Sequence, residues 1–297
     1  MRRLIAAPAV AFTLLASSLA SAQTANDAYY AALSNGIYEV NAKTGQEALL
    51  NGAYVYQSEN HRGIAVNRST GRVYQGTQYL ESEKSFIRVW DVATRAELDR
   101  IFLPTGVPVP DDITIAPNGN LYFIVGITNP NTSAIADGAV YQVNPTTHAV
   151  TLLCGTNPVS NTSAGSGVLL KGGGAITALD DSLLMVSFIK TAGTTPVYTF
   201  GSISTGAGVC TEFAGASGVR YLSLATENAA TAIGIKAIPA DPQGDFGLYE
   251  IAGTGTQTFK AELNQLSGSV YDPLEVAFDG TKAVVFGGTF PQVVEVN

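Results

Sequence analysis

Charge is scarce in this chain of 297 residues: only 13% are Asp, Glu, Lys or Arg, and acids outnumber bases by 24 to 16. A formal net charge of −8 rules against the basic stripe that a phosphate backbone requires, so nucleic acid is not an expected partner. Histidine and cysteine occur twice each, and no spacing between them suggests a zinc site. A Gly-x-Ser-x-Gly nucleophile elbow is missing, and Gly165-Ser166-Gly167 reads only as a flexible loop. Gly172-Gly173-Gly174 is not a phosphate loop, because no helix is expected after it. Beyond residue 22 no apolar run approaches the length of a membrane-spanning helix.

The first 22 residues stand apart from the rest. Arg2 and Arg3 precede an apolar stretch from Leu4 to Leu15, and Ala20-Ser21-Ala22 supplies a small-residue cleavage site before Gln23. Residues 1–22 are therefore expected to be a signal peptide. The mature chain, 23–297, is expected to be one domain, secreted or periplasmic. In such a compartment Cys154 and Cys210 could be bridged. The strand map, however, ends one outer strand at Cys154 and begins another at Cys210, towards opposite faces, and leaves the bridge open.

What the chain has in abundance is repetition. Ile37-Tyr38-Glu39-Val40-Asn41 is echoed by Ile87-Arg88-Val89-Trp90-Asp91, Val140-Tyr141-Gln142-Val143-Asn144, Leu248-Tyr249-Glu250-Ile251-Ala252 and Val293-Val294-Glu295-Val296-Asn297. Short β-rich runs recurring every ~45–60 residues indicate an all-β propeller, whose blades bury their faces only against one another. Hairpins with Asn118-Gly119 and Asp279-Gly280 turns supply the inner strand pairs. Four complete blades read as about 62–102, 111–154, 174–213 and 219–263. Each terminus adds three strands, too many for one shared blade. Six blades are therefore expected rather than five, in a ring closed by strands from both ends.

The turns are lopsided. Connections such as Ala42-Lys43-Thr44-Gly45 and Pro145-Thr146-Thr147-His148 are tight, and His148 is expected to be solvated in its turn. Thr77–Ser85, Gly126–Gly138, Gly155–Gly173 and Ala237–Asp245 are long and share the face where inner strands begin, the usual place for function. Gly155–Gly173 reads either as a flap or as a disordered surface excursion. Counting back from each first turn places His61, Arg62, Asp111, Asp112, Arg220, Tyr221, Asp272 and Glu275 at this mouth. Asp111, Asp112 and Asp272 suit a hard divalent cation such as Ca²⁺. They suit rather better an ion-paired plug with Arg62 and Arg220, since two arginines stand among them. His61, with Arg62, Arg220 and Tyr221, forms the candidate catalytic set, His61 acting as general base.

Pro110-Asp111-Asp112-Ile113-Thr114-Ile115-Ala116-Pro117-Asn118-Gly119 and Asp272-Pro273-Leu274-Glu275-Val276-Ala277-Phe278-Asp279-Gly280 resemble the inner-strand repeats of gluconolactonase-like six-bladed propellers. They are also similar to NHL- and YVTN-type blades. The resemblance implies a divalent metal held by one glutamate, two asparagines and one aspartate, polarising a lactone carbonyl. By position Asp272 matches the aspartate, Asp111 stands at an asparagine place, Arg62 at the glutamate place, and Gly173 or Arg220 at the fourth. The same resemblance admits metal-independent enzymes that shape apolar metabolites. Three functions thus remain open: a non-catalytic small-molecule or partner-binding propeller, a metal-assisted lactone or ester hydrolase, and a metal-independent enzyme.

Overall fold

The computed structural model describes residues 28–33, 36–41, 47–50, 59–79, 82, 84–128, 135–157, 161–168, 170–191, 196–237, 246–263, 275–278, 282–286 and 292–295. Among them there is no helix. The signal peptide expected at 1–22 and the residue Asp272 lie outside the described set.

The strands form six sheets in chain order. The first holds Ala28–Leu33, Gly36–Asn41 and Glu47–Leu49. The second holds Glu59–Asn67, Arg72–Tyr79, Ser85–Asp91 and Ala96–Phe102. Asp112–Ile115, Leu121–Thr128, Ile135–Val143 and Val150–Thr156 make the third, with Ser163–Ala164 at its edge. Gly172–Ala178, Leu183–Thr191, Val197–Ser204 and Val209–Glu212 make the fourth, with Ser166–Gly167 added. The fifth comprises Ser223–Asn228, Thr231–Ala237, Phe246–Ala252 and Gln257–Leu263. Glu275–Phe278, Lys282–Phe286 and Gln292–Glu295 complete the sixth. From the first sheet to the sixth, the first strand of each lies against the first strand of the next. That succession is the arrangement of propeller blades around an axis.

Residue alternation explains the packing. Leu121, Tyr122, Phe123, Ile124 and Val125 are consecutive and all buried. Such a run belongs to a strand covered on both faces. Leu121, Phe123 and Val125 enter a core with Tyr74, Ile87 and Val89 of the second sheet. Tyr122 and Ile124 enter another with Ile176, Leu184 and Val186 of the fourth. Neighbouring sheets thus stack face to face, and each junction between them is its own hydrophobic core.

The tight turns are closed by their own side chains. Asn144 Oδ1 accepts the N–H groups of Thr146 and Thr147 at 2.9 and 3.0 Å, and Asp91 Oδ1 accepts that of Thr94 at 2.7 Å. His148, in the first of these turns, is exposed to solvent as expected. Its Nε2 lies 2.8 Å from Asp99 Oδ2 on the outer strand of the second sheet, linking two blades.

The long Gly155–Gly173 connection is neither a flap nor an excursion where it is described. Ser163–Ala164 pairs antiparallel with Gly155 and Thr156, and Ser166–Gly167 pairs parallel with Val209 and Cys210. The segment clasps the outer strands of the third and fourth sheets. Backbone pairing holds its Ser- and Gly-rich part, which is why that composition resembled a loose loop, and Leu170 and Val168 anchor its end in the core between the two sheets.

Candidate functional site

The first strands all begin at one end of the sheets, and that end gathers the residues marked out by sequence. Its construction depends on close backbone approach. At Gly63 (φ 61°) a bulge interrupts the pairing between Arg62 and Ile64, and a Cβ there would sit 2.9 Å from Asp112 Cα. Glycine therefore lets the second sheet approach the third. His61 and Arg62 contribute backbone to the same strand and Glu275 to the sixth sheet; their side chains lie outside the described residues.

Asp111 and Asp112 act on backbone amides. Asp111 Oδ2 accepts the N–H of Gly126 at 2.6 Å, and its carboxylate occupies the space where a Cβ on Gly173 would fall. Asp112 Oδ1 accepts its neighbour Ile113 N–H at 2.8 Å, and Oδ2 accepts Ile176 N–H of the fourth sheet at 2.9 Å. Burial pushes the Asp112 carboxyl up to about 7, and the Asp111 charge adds to the rise, while the two amide bonds oppose it. Polar side chains repeat this stitching down the first strands. Thr114 Oγ1 accepts Ala178 N–H at 3.0 Å, and Ser223 Oγ accepts Val276 N–H at 3.1 Å. Thr177 and Thr226 hydroxyls meet at 2.7 Å between the fourth and fifth sheets.

Arg220 and Tyr221 come together elsewhere on this end, at the junction of the fourth and fifth sheets. Arg220 is exposed, its guanidinium 4.7 Å from the centroid of Tyr198. Tyr221 is buried, edge-on to Phe200 at 5.2 Å and to Tyr249 at 6.5 Å. Its ring lies over Gly234, where a Cβ would meet Tyr221 Cδ1 at 2.6 Å. Lys236, two residues on, places its ammonium 4.1 Å from the Tyr249 centroid and 5.5 Å from that of Tyr221. Gln257 Oε1 accepts from both the Tyr221 hydroxyl (2.7 Å) and Lys236 Nζ. Burial lowers the Lys236 pKa.

Lys236 was not among the sequence candidates. The available signal was a single charge in an otherwise apolar strand, Thr231–Ala237, next to the small Gly234. Its setting is unusual for this protein. Lys171 pairs with Asp137 at 3.1 Å, Lys190 with Glu212 at 2.7 Å, Lys260 with Glu250 at 2.6 Å and Arg95 with Glu39 at 3.0 Å. The buried Arg88 faces Glu97 at 3.2 Å. Among the described residues, no carboxylate pairs with Arg220 or Lys236. Nor do the described residues contain a group of three or more His, Cys, Asp or Glu arranged to hold a metal ion.

No protein-family model matches the chain, and no curated protein does. Solved structures do. One, a protein provisionally named a gluconolactonase, aligns with a TM-score of 0.55 at 12% identity, over 89% of this chain and 81% of that one. An oligogalacturonate lyase in complex with manganese aligns at 0.49 and 12% identity, over 87% of this chain and 66% of its own. Hydrazine synthase of Kuenenia stuttgartiensis gives 0.45 and 14%, over 84% and 67%. This chain thus spans about two thirds of the last two. The likeness is one of fold: the chain is an all-β propeller resembling the gluconolactonase-like group.

Proposed function

We propose that the protein is an exported, non-catalytic binding propeller. Its ligand is an anionic small molecule, taken at the mouth-side junction of the fourth and fifth sheets. The observation that carries this reading is the pair of cations there, Arg220 on Tyr198 and Lys236 between Tyr221 and Tyr249, paired with no carboxylate among the described residues. In a chain of net charge −8, cations left without acidic partners and backed by aromatic rings favour a bound anion. The tyrosines supply flat apolar surface and the cations orient the acid group.

Metal-assisted lactone hydrolysis is the alternative, and the engagement of Asp111 and Asp112 with backbone amides supports it less than it supports the binding reading. Both Asp112 oxygens already accept amide hydrogens. Asp111 likewise turns one oxygen to Gly126.

The test is isothermal titration with D-gluconate and with benzoate, using neutral glucono-lactone as the control. Binding of an acid that weakens about tenfold or more in Arg220→Gln and Lys236→Met supports the reading. Equal affinity for acid and neutral ligand, or for wild type and variants, sinks it. Chelator-sensitive consumption of the lactone would install the hydrolase instead.

A further inference from the structure

Cys154 and Cys210 are the only cysteines, 3% and 1% exposed, and both are free thiols here. The expectation that they face opposite ways fails for a reason of register. A bulge between Val140 and Tyr141 sets Cys154 opposite Val140, and Cys210 stands opposite Ile203. All four side chains enter the one core between the third and fourth sheets. The neighbouring Cys210 thiol holds the Cys154 pKa down, and the Cys154 thiol together with burial pushes that of Cys210 up.

The clasp runs directly past both. Gly155 pairs with Ala164, next to Cys154, and Gly167 pairs with Cys210 itself. Val168 N–H donates to the Cys210 carbonyl at 3.0 Å. Gly155, Gly165 and Gly167 all have positive φ (99°, 76° and 93°), and a Cβ on any of them would overlap a backbone carbonyl. The chain path is thus fixed on both sides of the pair, and the outer strands that carry the cysteines have little freedom to part.

We propose that Cys154 and Cys210 form a disulfide that staples the outer strands of the third and fourth sheets beneath this clasp. The oxidant is a disulfide-bearing thiol compound of the export compartment. The thiolate of one cysteine attacks a sulfur of that disulfide and expels the first thiolate. The second cysteine's thiolate then attacks the protein sulfur of the mixed disulfide and expels the other. Two protein thiols lose two electrons and two protons, and the oxidant leaves as two thiols. The bond joins separate blades and closes a loop of roughly 55 residues, the kind of cross-link that restricts the unfolded chain most. Once formed it is shielded by the same burial, so reductant reaches it only after unfolding.

The experiment refolds the reduced full chain in a buffer of reduced and oxidised glutathione, then titrates thiols in denaturant. The expected result is no free thiol and, in a non-reducing digest, one linked peptide pair containing Cys154 and Cys210, two hydrogens lighter than the reduced pair. The oxidised protein should melt about 10 °C above the reduced one. Cys154→Ala and Cys210→Ala should each lose that difference while retaining the β-rich circular-dichroism spectrum. Two free thiols after oxidative refolding, or glutathione held on either cysteine in place of the link, would overturn the proposal.

Discussion

The Asp112 carboxylate accepts the Ile176 N–H at 2.9 Å, joining the first strand of the third sheet to the first strand of the fourth through one side chain. Because that carboxyl is enclosed, its pKa stands at about 7 against an ordinary 3.8. The native state therefore binds more protons than the unfolded chain between these values, and its contribution to stability falls as pH rises from about 4 to about 7. The loss is at most ~4 kcal/mol. Asp112→Asn removes the titration but turns an amide donor toward one of the two N–H groups. The variant should be less stable than wild type at pH 4, with the gap narrowing toward pH 8. Urea unfolding across that range measures it; a pH-independent gap would show that Asp112 does not titrate there.

Gly173→Ala places a methyl group where the Asp111 carboxylate lies, with Gly126 N only 2.6 Å away. Backbone crowds the site along with the carboxylate, so the third and fourth sheets must separate to admit it. The expected destabilisation is about 3 kcal/mol. Gly119→Ala, by contrast, meets nothing within 4 Å and is strained only by its φ of 86°. Its cost should be about 1 kcal/mol. Comparable melting temperatures for the two variants would refute the close-approach account.

Thr114→Val preserves shape and removes the Oγ1 acceptor of Ala178 N–H, which then has no replacement partner inside the core. An orphaned buried donor costs about 1–3 kcal/mol. Thr114→Ser should restore most of the loss, because the hydroxyl returns. Chemical denaturation of both variants separates the hydrogen bond from simple packing: Thr114→Val as stable as wild type, or Thr114→Ser the less stable of the two, would show that the hydroxyl is not what the site depends on.

The strands were legible because the signals that make them are local. Asn118-Gly119 announces its hairpin, and the unbroken apolar run from Leu121 to Val125 announces a strand buried on two sides. The placement of Asp111, Asp112, Arg220 and Tyr221 at first-strand starts follows from the same counting. Their partners are not local. Whether Asp112 meets a cation or an amide depends on Ile176, which reaches it only when two blades stack. Lys236 gains its setting from Tyr221, Tyr249 and Gln257, three elements folded over it. The cysteines were misplaced by one bulge in a strand pairing. Sequence periodicity carries the contents of each blade; the junctions between blades, where the chemistry gathers, are set by register and stacking.

The ring is expected to close between the first and sixth sheets, each of three strands. In the sixth, Val293 pairs with Val284 and Val294 with Ala283, whose side chain is fully buried. A terminal strand in an open array frays alone, because only one neighbour depends on it. A terminal strand in a closed ring supports two blades, and its loss exposes unpaired edges and apolar faces on both. Deleting residues 292–297 should therefore lower the single unfolding transition of the whole protein, by ~5 °C or more. Hydrogen exchange should accelerate in the first-sheet strand Gly36–Asn41 as well as in Lys282–Phe286. An unchanged melting temperature, with faster exchange confined to Lys282–Phe286, would show that the two ends do not close the ring.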